Sequence, residues 1–237
     1  MKQAWITGTS SGLGKALAEC LLSKGWCVYG ISRNPGPEHP NYQHLGLDLS
    51  QAGAAEQLDF SPGQATEVLL INNAGTLGEI GWMGTLSDKT LREGLILNLV
   101  SPAILSNRFL KQTQGLPGRR SILNISSGAA QNPYDGWAMY CSSKAGLDML
   151  GETIALERQL HHDSQTRIFS VAPGILDTPM QAHIRASNKE GFSSLDKFTT
   201  LHREGKLASP DQVAIKLIEI IENPEKYTAN RYDIRDL

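Results

Sequence analysis

The chain of 237 residues reads as a single α/β domain, a doubly wound parallel sheet flanked by helices. Three observations carry that reading. Short apolar runs alternate with amphipathic stretches along most of the sequence. The first of these runs feeds directly into a glycine-rich turn that opens a helix, the arrangement of a dinucleotide-binding crossover. A length of 237 fits one undivided domain of this class, and no internal repeat or low-complexity segment breaks it.

Composition narrows the function. Lys plus Arg number 22 against 24 Asp plus Glu, for a net charge of -2 with no run of like charges. Nothing therefore points to nucleic acid or an anionic membrane, and the expected partners are a small molecule and copies of the chain itself. Cys20, Cys27 and Cys141 make an odd number without Cys-x-x-Cys or Cys/His spacing, so neither a disulfide framework nor a metal site is expected. Each thiol is read as buried and inert. The first strand begins almost at Met1, leaving no room for a signal or transit peptide, and no apolar run approaches the roughly 18 residues of a membrane span. The expectation is a soluble cytoplasmic protein.

Taken in order, Ala4 to Thr7 is a strand, Gly8-Thr9-Ser10-Ser11-Gly12-Leu13-Gly14 a glycine turn, and Lys15 to Lys24 an amphipathic helix. Glycines let the backbone turn tightly and approach a pyrophosphate, which the unpaired N-H groups at the helix start attract. The second strand, Cys27 to Ser32, ends in Ser32-Arg33-Asn34, about twenty residues past the turn. An acid there would serve the ribose of NAD, and an arginine the extra phosphate of NADP. Arg33 therefore indicates NADP(H), with Ser32 and Asn34 as hydrogen-bonding helpers. A loop over Asn34 to Pro40 leads to a third strand, Gln43 to Leu49, whose Asp48 could also cap the short helix after it. Val68 to Ile71 is a fourth strand, ending in Asn72-Asn73-Ala74-Gly75, and Thr76 to Leu86 a loop.

A long helix is expected from about Ser87 to beyond Arg108, with Asn98 as a polar residue inside its apolar stretch that needs hydrogen-bond partners. Ile122, Leu123 and Ile125 form a buried strand that puts the Ser127 hydroxyl at its carboxyl end. Tyr140 and Lys144, four residues apart, share one face of the next helix, which runs through Leu147, Leu150, Ile154 and Leu156 to about Leu160. An ammonium beside a phenol favours the phenolate and makes Tyr140 usable as a general acid or base. Trp137, one turn before Tyr140, can wall the space beside a reacting carbonyl or serve as core. His161-His162-Asp163 is taken as a solvated helix end.

The sixth strand runs from Arg167 to Ala172. Met180 to Leu207 mixes apolar residues with Ser, Asn and Gly, the composition of a mobile lid, here bounded at approximately 179-207, rather than of a core element. Ser209-Pro210 starts a last helix with Val213, Ile215, Leu217, Ile218, Ile220 and Ile221 on its buried face. Asn223-Pro224 stops it, and Tyr227 to Asp233 is expected to form a last strand.

The triad of Ser127, Tyr140 and Lys144, with the serine thirteen residues before the tyrosine, resembles the signature of the short-chain dehydrogenase/reductase family. The glycine turn is similar to that family's Thr-Gly-x-x-x-Gly-x-Gly variant. The resemblance covers nearly the whole chain and implies a Rossmann fold. It implies further that Asn98 is the fourth catalytic residue, that Asp48 with Leu49 meets the adenine, and that Asn73-Ala74-Gly75 borders the cofactor. Pro173-Gly174-Ile175 would form the turn at the nicotinamide, with Thr178 beside its carboxamide or the pyrophosphate. Ser11 stands where many NADP-preferring members carry a basic residue.

Gly136 to Cys141 and Leu176 to Gln181 look most like the branch of sepiapterin and benzil reductases. That likeness implies a small carbonyl substrate walled by Trp137 and Met180, with Asp233 where the branch grips a pterin ring. Arg231 and Asp236 offer a plain surface ion pair as the alternative role for Asp233. The family pairs through the helices bearing Asn98 and Tyr140, so a homodimer or homotetramer is implied as well.

Overall fold

The computed structural model describes all 237 residues. Seven strands form one parallel sheet: β1 (Lys2–Thr7), β2 (Cys27–Ser32), β3 (Tyr42–Gly46), β4 (Glu67–Asn72), β5 (Arg119–Ile125), β6 (Thr166–Ala172) and β7 (Arg231–Asp233). Their spatial order is β3-β2-β1-β4-β5-β6-β7, so the winding reverses between β1 and β4. Ligands bind outside the carboxyl ends of strands at such a reversal.

The chain has seven α-helices: α1 (Gly12–Ser23), α2 (Asp88–Leu95), α3 (Ser101–Gln112), α4 (Ala138–Leu160), α5 (Pro179–Arg185), α6 (Leu195–Arg203) and α7 (Pro210–Glu222). Of these, α1, α3, α4 and α7 cover the sheet. Alternate residues of each strand point to opposite faces. Ala4, Ile6, Leu69, Ile71, Phe169 and Val171 pack under α1 and α7, while Trp5, Val68, Leu70, Ile122 and Ile168 pack against α3 and α4. Because both faces are covered, the strands read as unbroken apolar runs rather than alternating ones.

Several elements depart from the sequence reading. The third strand stops at Gly46, since its partner β2 ends at the paired Ser32, and Asp48 and Leu49 lie beyond its end. The expected long helix is two α-helices joined by a π-helical turn, Ile96–Val100, which carries Asn98. Ser209 and Pro210 do start α7, without a side-chain cap, but Ile215 is 60% exposed and Ala214 takes its place in the core. On α4, Leu156 is likewise exposed.

Asp163 is more than a solvated helix end. It accepts hydrogen bonds from Arg120 Nη2 (2.9 Å) and Thr166 Oγ1 (2.7 Å), fastening the starts of β5 and β6. The three cysteines are free but half-buried rather than buried. No helix is long and apolar enough to cross a membrane.

Candidate active site

The glycine turn is built by steric exclusion. Gly8 and Gly12 have φ of 78° and 54°, a region that favours glycine. A Cβ on Gly14 would stand 2.1 Å from the Gly8 carbonyl oxygen and 2.4 Å from Asn73 Nδ2, so helix and turn meet backbone to backbone with the Asn73 amide packed beside them. Thr7 and Asn73 tie the turn to β4. Thr7 Oγ1 accepts the N-H groups of Asn73 and Ala74, both at 2.9 Å, and Asn73 Nδ2 donates to the Thr7 carbonyl at 2.8 Å. Leu13 anchors α1 in the core, whereas Ser10 and Ser11 are exposed. The first turn of α1 has no acidic residue and no side-chain cap, so its N-H groups stay open to an anion. This cradle fits a dinucleotide pyrophosphate.

The adenosine end is arranged differently from expectation. Arg33 is exposed. Ser32, by contrast, is buried and spends its hydroxyl on the Asn34 carbonyl at 2.7 Å, so it shapes the turn instead of offering a donor. Thr9, which the sequence reading passed over, hydrogen-bonds the Tyr42 hydroxyl at 2.8 Å. Gly30 leaves room for that hydroxyl, since a Cβ there would lie 2.0 Å from it.

Asp48 caps no helix. Its Oδ1 accepts the N-H (3.1 Å) and hydroxyl (2.7 Å) of Ser50. Burial pushes its carboxyl up, but Ser50 and the nearby Arg33 outweigh burial and hold it below the usual range. Leu49 points into the core, and its carbonyl receives Ser101 Oγ at 2.7 Å.

Ser127, Tyr140, Lys144 and Asn98 gather where β4 and β5 end. Ser127 follows β5 in extended conformation, and its Oγ accepts the Ala129 N-H at 3.1 Å, which leaves the hydroxyl hydrogen free to donate. Lys144 is almost fully buried and donates to the Ile125 carbonyl at 2.7 Å. Its Nζ lies 5.8 Å from the Tyr140 ring centroid. Burial pulls the ammonium down to about 8, opposed by Asp148 one turn later.

Burial likewise raises the Tyr140 phenol, and the Ser127 hydroxyl opposes it. The expected net lowering of the phenol is therefore reversed in the free protein, because desolvation outweighs the neighbours. Asn98 donates to the Thr76 carbonyl (2.8 Å) and Ser143 Oγ (3.1 Å) and accepts the Thr76 N-H at 2.9 Å, so its amide is satisfied. Gly75 lies between it and the lysine. A Cβ there would be 3.4 Å from Asn98 Oδ1 and 3.6 Å from Lys144 Nζ.

Beside Tyr140 the site is made of rings. Trp137 stacks on Phe192 (4.8 Å, 13°) and meets Tyr140 edge-on at 5.8 Å, with Phe198 and Tyr134 close by. Together with Leu77, Ala129 and Ile184 these residues form a third apolar cluster, and Met180 packs on its edge. The stretch read as non-core thus has a core of its own, because Phe192 and Phe198 close onto Trp137. Asp135 fastens it by accepting the N-H and hydroxyl of Ser193, each at 2.8 Å.

Opposite the glycine turn, Pro173 is buried and Gly174 has φ of 76°, with Ile175 packed on the edge of the third cluster. A Cβ on Gly12 would lie 3.2 Å from Thr178 Cγ2, so the turn and Thr178 face each other. Asp233, at the end of β7, pairs with Arg235, a residue the sequence reading did not single out. Arg231 pairs instead with the buried Asp148 at 3.0 Å.

The chain is similar to known proteins along nearly its whole length. Residues 2–189 match the family described as short chain dehydrogenase. The chain is 38% identical over 240 residues to benzil reductase ((S)-benzoin forming) of Bacillus subtilis (strain 168), covering 98% of this chain and 97% of that protein. It is 31% identical to sepiapterin reductase of Rattus norvegicus, covering 98% and 95%. Among solved structures, the KRED1-Pglu enzyme superposes with a TM-score of 0.79 at 26% identity over 98% of this chain and all of that one.

Proposed function

We propose that the chain, which belongs to the short chain dehydrogenase family, is an NADPH-dependent carbonyl reductase of small aromatic ketones bearing a second oxygen on the adjacent carbon. The observation that carries this reading is the burial of Tyr140 between the Ser127 hydroxyl and the aromatic cluster, burial that favours the protonated phenol. That is the form a reductase needs.

The residues then divide the work. The substrate oxygen accepts a hydrogen bond from the free Ser127 hydroxyl and a proton from Tyr140. Lys144, fixed on the Ile125 carbonyl, offers its remaining N-H bonds to the cofactor ribose and, with Asn98 across Gly75, to a proton path toward solvent. Gly8, Gly12 and Gly14 with the start of α1 hold the pyrophosphate. Arg33 holds the 2′-phosphate through charge-assisted bonds, and Pro173 to Thr178 hold the nicotinamide end. Bound there, NADPH supplies the hydride.

The ring cluster around Trp137 favours aromatic substrates, and the helices of residues 179–207 act as the lid. A homodimer or homotetramer is part of the same proposal. Leu95 and Val100 near the π turn and Met149, Leu156 and Leu160 on α4 are exposed apolar side chains that an assembled face would cover.

NADPH oxidation measured across diketones, sepiapterin, sugars and acyl thioesters tests the reading. Turnover of diketones such as benzil is expected. Turnover confined to sugars or acyl thioesters would refute it.

A further inference from the structure

Asp233 stands in register with Ala172, beside the Pro173-Gly174 turn. Both of its carboxylate oxygens are taken by Arg235. Nε donates to Oδ1 at 2.8 Å, Nη2 donates to Oδ2 at 2.5 Å, and the Arg235 backbone N-H reaches Oδ1 at 3.0 Å. The carboxylate is the deeper partner, its side chain 18% exposed against 64% for the arginine, so the guanidinium lies over it on the solvent side.

Arg235 also reaches toward the chemistry. A Cβ on Gly128, next to Ser127, would be 3.9 Å from its Nη2, and one on Gly174 would be 3.7 Å from its Cγ. The side chain therefore spans the rim between the proposed oxygen-binding serine and the proposed nicotinamide turn.

A planar guanidinium presents two parallel N-H bonds that match a carboxylate. An aminopyrimidinone ring presents the same pair, so Arg235 occupies the contact such a ring would need. It does so from two residues away on the same chain, without the association entropy that an incoming ligand has to overcome. Building on the carbonyl-reductase reading, we propose that Arg235 is a specificity-determining residue that keeps Asp233 closed to amino-bearing heterocycles, so that the site takes ketones whose far end is an uncharged aryl group. An inert surface ion pair would leave substrate choice unaffected.

The test compares kcat/KM on sepiapterin and on benzil for the wild type, Arg235→Ala, Arg235→Gln and the double variant Asp233→Asn/Arg235→Ala. Freeing the carboxylate should raise the sepiapterin-to-benzil ratio by about tenfold or more, the scale of a charge-assisted hydrogen bond. The gain should disappear in the double variant. The glutamine variant keeps the comparison available if the alanine variant does not fold. A ratio within threefold of wild type in both single variants, or a gain that survives in the double variant, would overturn the inference alone. A wild type that reduces neither compound with NADPH or NADH would overturn the carbonyl-reductase reading and this inference together.

Discussion

Around Gly8 to Gly14 the decisive contacts are backbone against backbone, whereas around Trp137 they are ring against ring. At Gly14 there is no space for even one carbon beside the Gly8 carbonyl. At Trp137 five aromatic side chains from two separate stretches, 134–140 and 192–198, share the space, and each could change shape without breaking the chain's path. A half built on excluded volume fixes one geometry for one kind of ligand. A half built on side chains can be retuned, which is how one scaffold serves many carbonyl substrates.

The largest effect is expected where the two materials differ most. Gly14→Ala forces a Cβ to within 2.1 Å of the Gly8 oxygen, so α1 must shift off the turn. Titration should show cofactor affinity falling by about a hundredfold or more, since small displacements of positioning groups cost that much. An affinity within threefold of wild type would erase the contrast.

Phe192→Ala should do the reverse. Removing a fully buried phenylalanine costs about 3–5 kcal/mol locally. Limited proteolysis should then cut within residues 179–207 and substrate KM should rise, while cofactor affinity stays within about twofold. Equal damage to both halves would show that they are not separable.

How much of this was legible in the sequence follows from the same contrast. The bounds of β2 and the strand-turn-helix of β1 and α1 could be read directly, because glycine spacing and apolar runs are local signals. The π turn at Asn98 was not legible, since one extra residue in a helical turn leaves an apolar pattern nearly intact. The core of residues 179–207 was hidden for another reason. Its partners Leu77, Ala129 and Trp137 lie far away in sequence, and no period links them. Arg235 escaped because a terminal arginine has no distinguishing context until β7 places it beside Gly128 and Gly174. For Tyr140 and Lys144 the spacing showed that they share a helix face, but the direction of their titration depends on burial, which spacing does not report.

Two smaller effects sharpen the picture on the cofactor side. Arg33→Ala should weaken NADPH by about tenfold to a hundredfold, as expected for a lost charge-assisted bond, and leave NADH nearly unchanged. Equal losses for both cofactors would remove the basis for NADPH preference.

The other effect is a pH dependence. Burial holds the folded Lys144 ammonium down at about 8, against an ordinary lysine value of about 10.5 in the unfolded chain. Between those values the unfolded chain carries a proton that the folded chain has released, so this group makes the fold more stable as pH rises through the window. Denaturation midpoints measured from pH 8 to 10.5 should therefore rise for wild type relative to Lys144→Met. Parallel curves would place the lysine in a better-solvated setting.

The most direct test of the account is single-turnover reduction of benzil by Tyr140→Phe, with NADPH affinity measured on the same preparation. The substitution keeps the ring in its cluster against Trp137 and removes the hydroxyl alone. Cofactor affinity should stay within about twofold of wild type while the chemical step slows by about a hundredfold to ten-thousandfold, the span of a lost general acid. A chemical step within threefold of wild type would contradict the assignment of Tyr140 as the proton donor, and with it the mechanism built on Ser127 and Lys144.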